Sequence, residues 1–206
     1  MFALCPGPKI KANGEFFKAN LVFTGEVLSE RYVERGDNAG WYYRIRLLHV
    51  LKGPALKEVT VYTEDEVSRF PLEIGRDYLL FAYRGGGRFW IDSCGNSALL
   101  ADAAESIARI QNIPKTQDAE IEGWLFSPTG GVDLSGIHVV IRCGPRVYNL
   151  LTDNQGYFHF RAPPGKYNVD FRNHEYLADV GNWYEPARFV LHPGESAALL
   201  LMSVRQ

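Results

Sequence analysis

The sequence predicts a mainly β protein built as two separate bodies. Two observations carry that expectation. Short runs rich in β-branched and aromatic residues recur along the chain, punctuated by Gly, Pro, Asn and Asp. The polar, Pro-containing stretch Ile113-Pro-Lys-Thr-Gln-Asp-Ala-Glu120 breaks them into two groups and reads as a linker. The expected division is residues 1–114, a linker at 115–119, and residues 120–206.

In the first group the strand candidates are Leu21–Arg31, Trp41–Leu51, Glu58–Thr63, Asp77–Tyr83 and Phe89–Asp92. Arg35-Gly-Asp-Asn-Ala-Gly40, Lys52-Gly-Pro54, Ile74-Gly75 and Gly85-Gly-Gly87 mark the turns between them. The second candidate alternates best. Trp41, Tyr43, Ile45 and Leu47 share one face, and Tyr42, Arg44 and Arg46 share the other, the period-2 mark of a strand with one buried side. One segment has helical period: Leu99, Leu100, Ala103, Ala104, Ile107, Ala108 and Ile110 form an apolar stripe in Ser97–Gln111, and Pro114 stops its continuation. A short helical turn is expected near Glu15–Ala19. Five strands followed by a helix fit a five-stranded Greek-key barrel of the OB type with a C-terminal helix.

Beyond the linker the helical signal vanishes. Glu120–Phe126, Ile137–Cys143, Arg146–Thr152, Tyr157–Arg161, Lys166–Arg172, Ala187–Leu191 and Ala197–Val204 are seven strand candidates, which suggests a β-sandwich. The least structured stretch is Arg172-Asn-His-Glu-Tyr-Leu-Ala-Asp-Val-Gly-Asn-Trp-Tyr184. Its His174, Tyr176, Trp183 and Tyr184 either form an aromatic recognition loop or pack over one end of the sandwich.

Composition bounds the function. The chain has 206 residues, 46% of them hydrophobic, with 4 Trp, 11 Tyr and 12 Phe, enough to bury a core. The 22 basic and 24 acidic residues leave a charge of −2, so no global basic field favours nucleic acid. The longest apolar run, Ala197–Met202, is far shorter than the roughly 20 residues of a transmembrane helix, and no transmembrane segment is expected. Met1-Phe-Ala-Leu-Cys-Pro-Gly-Pro has neither a basic start nor an apolar stretch of a signal peptide, and Leu4 before Cys5 fits a lipoprotein cleavage site poorly. That leaves a cytoplasmic protein or a secreted one whose leader is absent.

No cofactor, metal or catalytic centre is expected. Cys5, Cys94 and Cys143 show no Cys-x-x-Cys spacing. His49, His138, His159, His174 and His192 form no His-Glu-x-x-His pattern; His138 and His159 sit in strand candidates and could approach each other in a sandwich. Asp153-Asn-Gln-Gly156 reads as a turn rather than a calcium loop, because further acidic ligands are missing. Cys143 reads as a small hydrophobe, with a nucleophile as the alternative.

Two resemblances narrow the picture. Cys5-Pro-Gly-Pro, Phe17-Lys-Ala-Asn-Leu-Val-Phe-Thr-Gly-Glu-Val27, Val50-Leu-Lys-Gly-Pro54, Ile74-Gly-Arg-Asp-Tyr-Leu-Leu-Phe-Ala-Tyr83 and Ile91-Asp-Ser-Cys-Gly95 resemble the netrin-like fold. The nearest members look like bacterial relatives of tissue inhibitors of metalloproteinases. The resemblance implies a disulfide between Cys5 and Cys94 and a protein-binding N-terminal arm of Ala3, Leu4, Cys5 and Pro6. Closing a loop of about 90 residues would remove roughly 4–5 kcal/mol of unfolded-chain freedom. A disulfide in turn implies a secreted, periplasmic or surface location. The family's inhibitors chelate the protease zinc through a first-residue cysteine; here Ala3 holds that position.

Ile121-Glu-Gly-Trp-Leu-Phe-Ser-Pro, Leu134-Ser-Gly-Ile-His-Val-Val-Ile141, Thr152-Asp-Asn-Gln-Gly-Tyr-Phe-His-Phe160, Pro163-Pro-Gly-Lys-Tyr-Asn-Val169 and Leu191-His-Pro-Gly-Glu195 look like the carboxypeptidase regulatory-like domain, a transthyretin-like sandwich. That resemblance implies an accessory module without catalytic residues. The combined expectation is a non-enzymatic extracytoplasmic protein that binds an envelope or extracellular protein. The alternatives are a structural or adhesive spacer and a metalloprotease inhibitor.

Overall fold

The structure, a computed structural model, describes residues 5, 8–34, 39–64, 69–127, 133–171, 176–179 and 187–203; for residues 171, 176–179, 202 and 203 it describes the backbone alone. The fold is mainly β, with 54% of residues in strands and 13% in helices. The chain divides into two compact units, residues 1–110 and 111–206. Each has its own apolar core.

The first unit opens with a short helix, α1 (Ala12–Lys18). Five strands follow: β1 (Leu21–Val33), β2 (Gly40–Lys52), β3 (Glu58–Thr63), β4 (Asp77–Gly85) and β5 (Arg88–Ile91). They hydrogen-bond in the order β1-β2-β3-β5-β4, and β4 returns to β1, so the sheet closes into a five-stranded barrel. Among the described residues of this unit only the β3–β5 pairing is parallel. Closure needs β1 to coil. Its register against β2 shifts at Val22/Phe23, Thr24/Gly25 and Val27/Ser29, and such irregularities raise local twist and bend a strand.

Leu21, Phe23, Val27, Tyr43, Ile45, Val61, Tyr78, Leu80 and Ala82 fill the barrel. In β4 all six residues Tyr78–Tyr83 are buried rather than alternate ones. The reason is that α1 and the segment after β5 pack on the strand's outer side.

That segment departs from the expected helix over Ser97–Gln111. Ala98–Leu99 form a two-residue strand, β6, paired with Tyr78 and Leu79 of β4. A 3₁₀ turn spans Leu100–Asp102, and the α-helix proper, α2, is confined to Ala104–Asn112. The cause is an unfinished edge. β5 covers β4 only from Ala82 to Gly85, which leaves backbone groups at Tyr78 and Leu79 without a neighbour on that side. Pairing them outweighs the helical period of the side chains.

Among the described residues the second unit has eight strands, not the seven expected: β7 (Ala119–Phe126), β8 (His138–Cys143), β9 (Arg146–Leu151), β10 (Tyr157–Ala162), β11 (Gly165–Phe171), β12 (Tyr176–Asp179), β13 (Arg188–Leu191) and β14 (Ser196–Ser203). They form two four-stranded sheets, β10-β7-β14-β12 and β13-β11-β8-β9. Ile121, Leu125, Phe158, Leu199 and Leu201 of one meet Val139, Ile141, Tyr167, Val169, Phe189 and Leu191 of the other in a single core. The added strand is β12, whose Tyr176–Asp179 pair with Leu200–Ser203 of β14. β14 runs parallel to β7 on its other side, so it is central and buried on both faces, which explains its unbroken apolar run.

Gly25 is a close backbone crossing of the barrel. A Cβ there would lie 2.8 Å from the Arg46 carbonyl oxygen and 2.8 Å from Ile45 Cγ2. Gly25→Ala should therefore force β1 from β2 and destabilise the first unit by about 1–3 kcal/mol. Urea unfolding followed by Trp fluorescence checks this; an unchanged midpoint would mean that β2 yields freely.

Candidate functional site

The N-terminal arm is tied down at one point by covalent chemistry and just beyond it by a buried carboxyl group. Cys5, exposed, is disulfide-bonded to half-buried Cys94 with Cα atoms 5.5 Å apart, which links residues 89 positions apart. Cys94 lies in the turn after β5, where its N–H donates to Asp92 Oδ1 at 2.7 Å. The next residues run inward: Gly95, Asn96 and Ser97 are all buried. Ser97 Oγ accepts from the Phe81 N–H at 3.0 Å and fixes this turn to β4.

Glu15 of α1 receives the turn. It is 1% exposed. Its Oε2 accepts the Asn96 backbone N–H at 2.5 Å and the Asn96 amide at 2.7 Å, and its Oε1 accepts the Tyr83 hydroxyl at 2.9 Å. The Asn96 amide also donates to the Ile10 carbonyl at 2.9 Å. The carboxyl group sits so close to Gly95 that no side chain fits there. At the other end of α1, Lys52 Nζ donates to the Phe16 and Phe17 carbonyls at 2.7 and 2.8 Å, satisfying acceptors that a helix end leaves open. A seven-residue helix without a side-chain N-cap is thus held by partners from β2, β4 and the disulfide turn.

Burial dominates the electrostatics. Desolvation pushes the Glu15 carboxyl up to about 7, against the donors from Asn96 and Tyr83, which favour its charged form. The Tyr83 phenol is pushed up too, first by burial and then by the Glu15 charge.

Among the expected partner-binding residues, Cys5 takes part in this anchor. Ala3, Leu4 and Pro6 lie outside the described residues, as do His174, Trp183 and Tyr184. Tyr176, placed by the sequence in a loop, belongs to strand β12 instead. Its stretch lacks β-branched residues, so nothing local announced a strand; the open edge of β14 recruits it. His138 and His159, whose approach in a sandwich the sequence left open, are not brought together. They sit on opposite sheets, both exposed, and His159 Nε2 lies 2.9 Å from Glu120 Oε2. His49 is exposed on β2, 3.4 Å from Thr24 Oγ1. Asp153 Oδ1 accepts the Gln155 and Tyr157 N–H groups at 2.8 and 2.9 Å, and Gly156 takes φ 74°. Cys143 packs half-buried at the edge of the second core beside Tyr167. Among the described residues no three His, Cys, Asp or Glu side chains group as metal ligands.

Sequence reasoning passed over an aromatic and guanidinium surface on the barrel. Tyr32 and Trp41 are in register across β1 and β2, with ring centroids 5.3 Å apart. The Arg69 guanidinium lies 3.9 Å over Trp41 and donates to the Tyr43 hydroxyl at 2.8 Å. On the other side of the sheet Arg88 lies 3.8 Å over Tyr62 and donates to the Tyr42 hydroxyl at 2.9 Å. The readable signal was the density of aromatic residues on three successive strands, Tyr32, Trp41, Tyr42 and Tyr62; the arginines come from distant segments. No family model matches the chain, and no curated protein matches it.

Two outcomes follow for the anchor. A carboxyl group raised from 4.5 to about 7 holds a proton in the folded state that the unfolded chain has released. Its contribution is complete below about pH 4.5 and is lost as pH rises through about 7. Urea midpoints should therefore show a loss on the order of 3 kcal/mol between pH 4.5 and pH 8, largely absent in Glu15→Gln. Equal pH dependence in both proteins would remove Glu15 as the cause. Separately, the double variant Cys5→Ser/Cys94→Ser should lose up to about 4–5 kcal/mol in the first unit while the second is unchanged, read as two calorimetric transitions.

Proposed function

We propose that the protein is a non-enzymatic, extracytoplasmic binding protein that presents its N-terminal arm to a protein partner. The observation that carries this reading is the double fixation of the arm's root: the Cys5–Cys94 bridge, backed by the Glu15–Asn96 clasp beneath it. A segment held in place before encounter loses less conformational freedom on binding, so rigid roots favour recognition by the residues they carry. A covalent bridge of this kind persists in oxidising surroundings, which favours a secreted, periplasmic or surface location.

The strand order β1-β2-β3-β5-β4 with a parallel β3–β5 pair supports the OB-type, netrin-like reading of the first unit. Two four-stranded sheets around one core, with Asp153 and Gly156 shaping the β9–β10 turn, support the transthyretin-like reading of the second. On this reading the second unit is an accessory module.

Arm release tests the proposal. Immobilised protein is exposed to envelope and secreted proteins of the source cell, beside Cys5→Ser/Cys94→Ser checked for folding by circular dichroism. A specific protein retained by the native chain and at least tenfold less by the variant supports arm-directed binding. Retention of nothing favours the spacer. Inhibition of a metalloprotease by the native chain would place it among the inhibitors instead.

A further inference from the structure

The outer face of the sheet β13-β11-β8-β9 carries three cations in one open depression. Asn168 of β11 is in register with Arg142 of β8 on one side and Arg188 of β13 on the other. Lys166 stands two residues along β11, on the same face. Together with Val190, these residues line a depression of about 450 Å³. Arg142, Lys166 and Arg188 are exposed, and among the described residues none of them pairs with a carboxylate.

Some exposed cations elsewhere in the fold do have carboxylate partners. On the barrel Arg46 meets Glu26 and Arg44 meets Glu58 across strands; on the opposite sheet of the second unit His159 meets Glu120. Arg142 and Arg188 are only two strand spacings apart, about 10 Å. That is within about one Debye length at 0.1 M salt, so their repulsion is not fully screened. Among the described residues of β11, Asp170, one row beyond Asn168 on the side away from Lys166, is half-buried and has an interaction of its own. The row therefore keeps an excess of positive charge in a chain whose net charge is −2.

We infer that this depression binds a multiply charged oxyanion, the phosphate or sulfate group of a small molecule. Two guanidinium groups on the strands flanking Asn168, lining the same depression, supply the planar, multidentate donors that oxyanions favour. Lys166 adds a third charge, and Val190, 49% exposed, supplies an apolar shoulder for the body of the ligand. The volume lies within the range of small-molecule sites. Neither the arm nor its disulfide takes part.

Calorimetric titration of the full chain in 50 mM NaCl tests this with two probes, pyrophosphate and a sulfated disaccharide. At least one should bind with sub-millimolar affinity, and the tighter one names the source of the oxyanion. Arg142→Gln/Arg188→Gln should weaken it at least tenfold. Arg161→Gln, an exposed cation on the opposite sheet, should change it less than twofold. Should the double variant fail to fold, Lys166→Gln takes its place, with an expected loss of at least threefold. Absence of binding by both probes, or equal weakening by Arg161→Gln, would overturn the site.

Discussion

Glu15 is the constraint on which the first unit depends. A carboxyl group shut away from water is costly unless donors surround it, and this one has three hydrogen bonds from two residues. Those donors come from parts of the chain 68 and 81 positions away. One side chain therefore decides where α1 lies, where the turn after β5 lies, and how the Tyr83 edge of the barrel is closed. The disulfide adds to an arrangement that hydrogen bonding already specifies. Burial of this kind secures one arrangement over others more than it adds stability, because any shift of α1 strands a carboxyl group without partners.

The second unit solves a similar problem with a different acid. Glu195, 3% exposed, accepts the His192 N–H at 2.7 Å and lies 2.8 Å from His192 Nδ1, which fixes the His192–Glu195 turn. Its own carbonyl accepts the Glu120 N–H, and Asp118 accepts from Gly194. The start of β7 and the start of β14 are thereby brought side by side. Their parallel pairing, the only one in the unit among the described residues, is set at this point. The polar stretch read as a linker supplies part of that junction.

What was legible followed from local pattern. β3 spans Glu58–Thr63 in both readings, because Val59 and Val61 face inward between clear turn signals. β2 alternates because one of its sides faces the barrel interior. β6 and β12 were illegible for a shared reason. Each exists to satisfy the open backbone of a neighbour, β4 or β14, and no property of Ala98–Leu99 or Tyr176–Asp179 states that need. The Glu15 clasp was illegible for another. A glutamate in a short helical turn looks solvated until distant Tyr83 and Asn96 are known to close over it. The cation row on the second unit was hidden likewise, since Arg142, Lys166 and Arg188 come from three strands that only the register aligns.

The position of the covalent bridge also determines how the molecule responds to pulling. A load applied at the amino end passes from Cys5 directly into Cys94. The 89-residue span that it bypasses holds all five barrel strands, a contour of about 300 Å that tension cannot pay out while the sulfurs stay joined. The barrel is mechanically short-circuited. Only the segment after Cys94 and the second unit are left to bear force applied between the two ends.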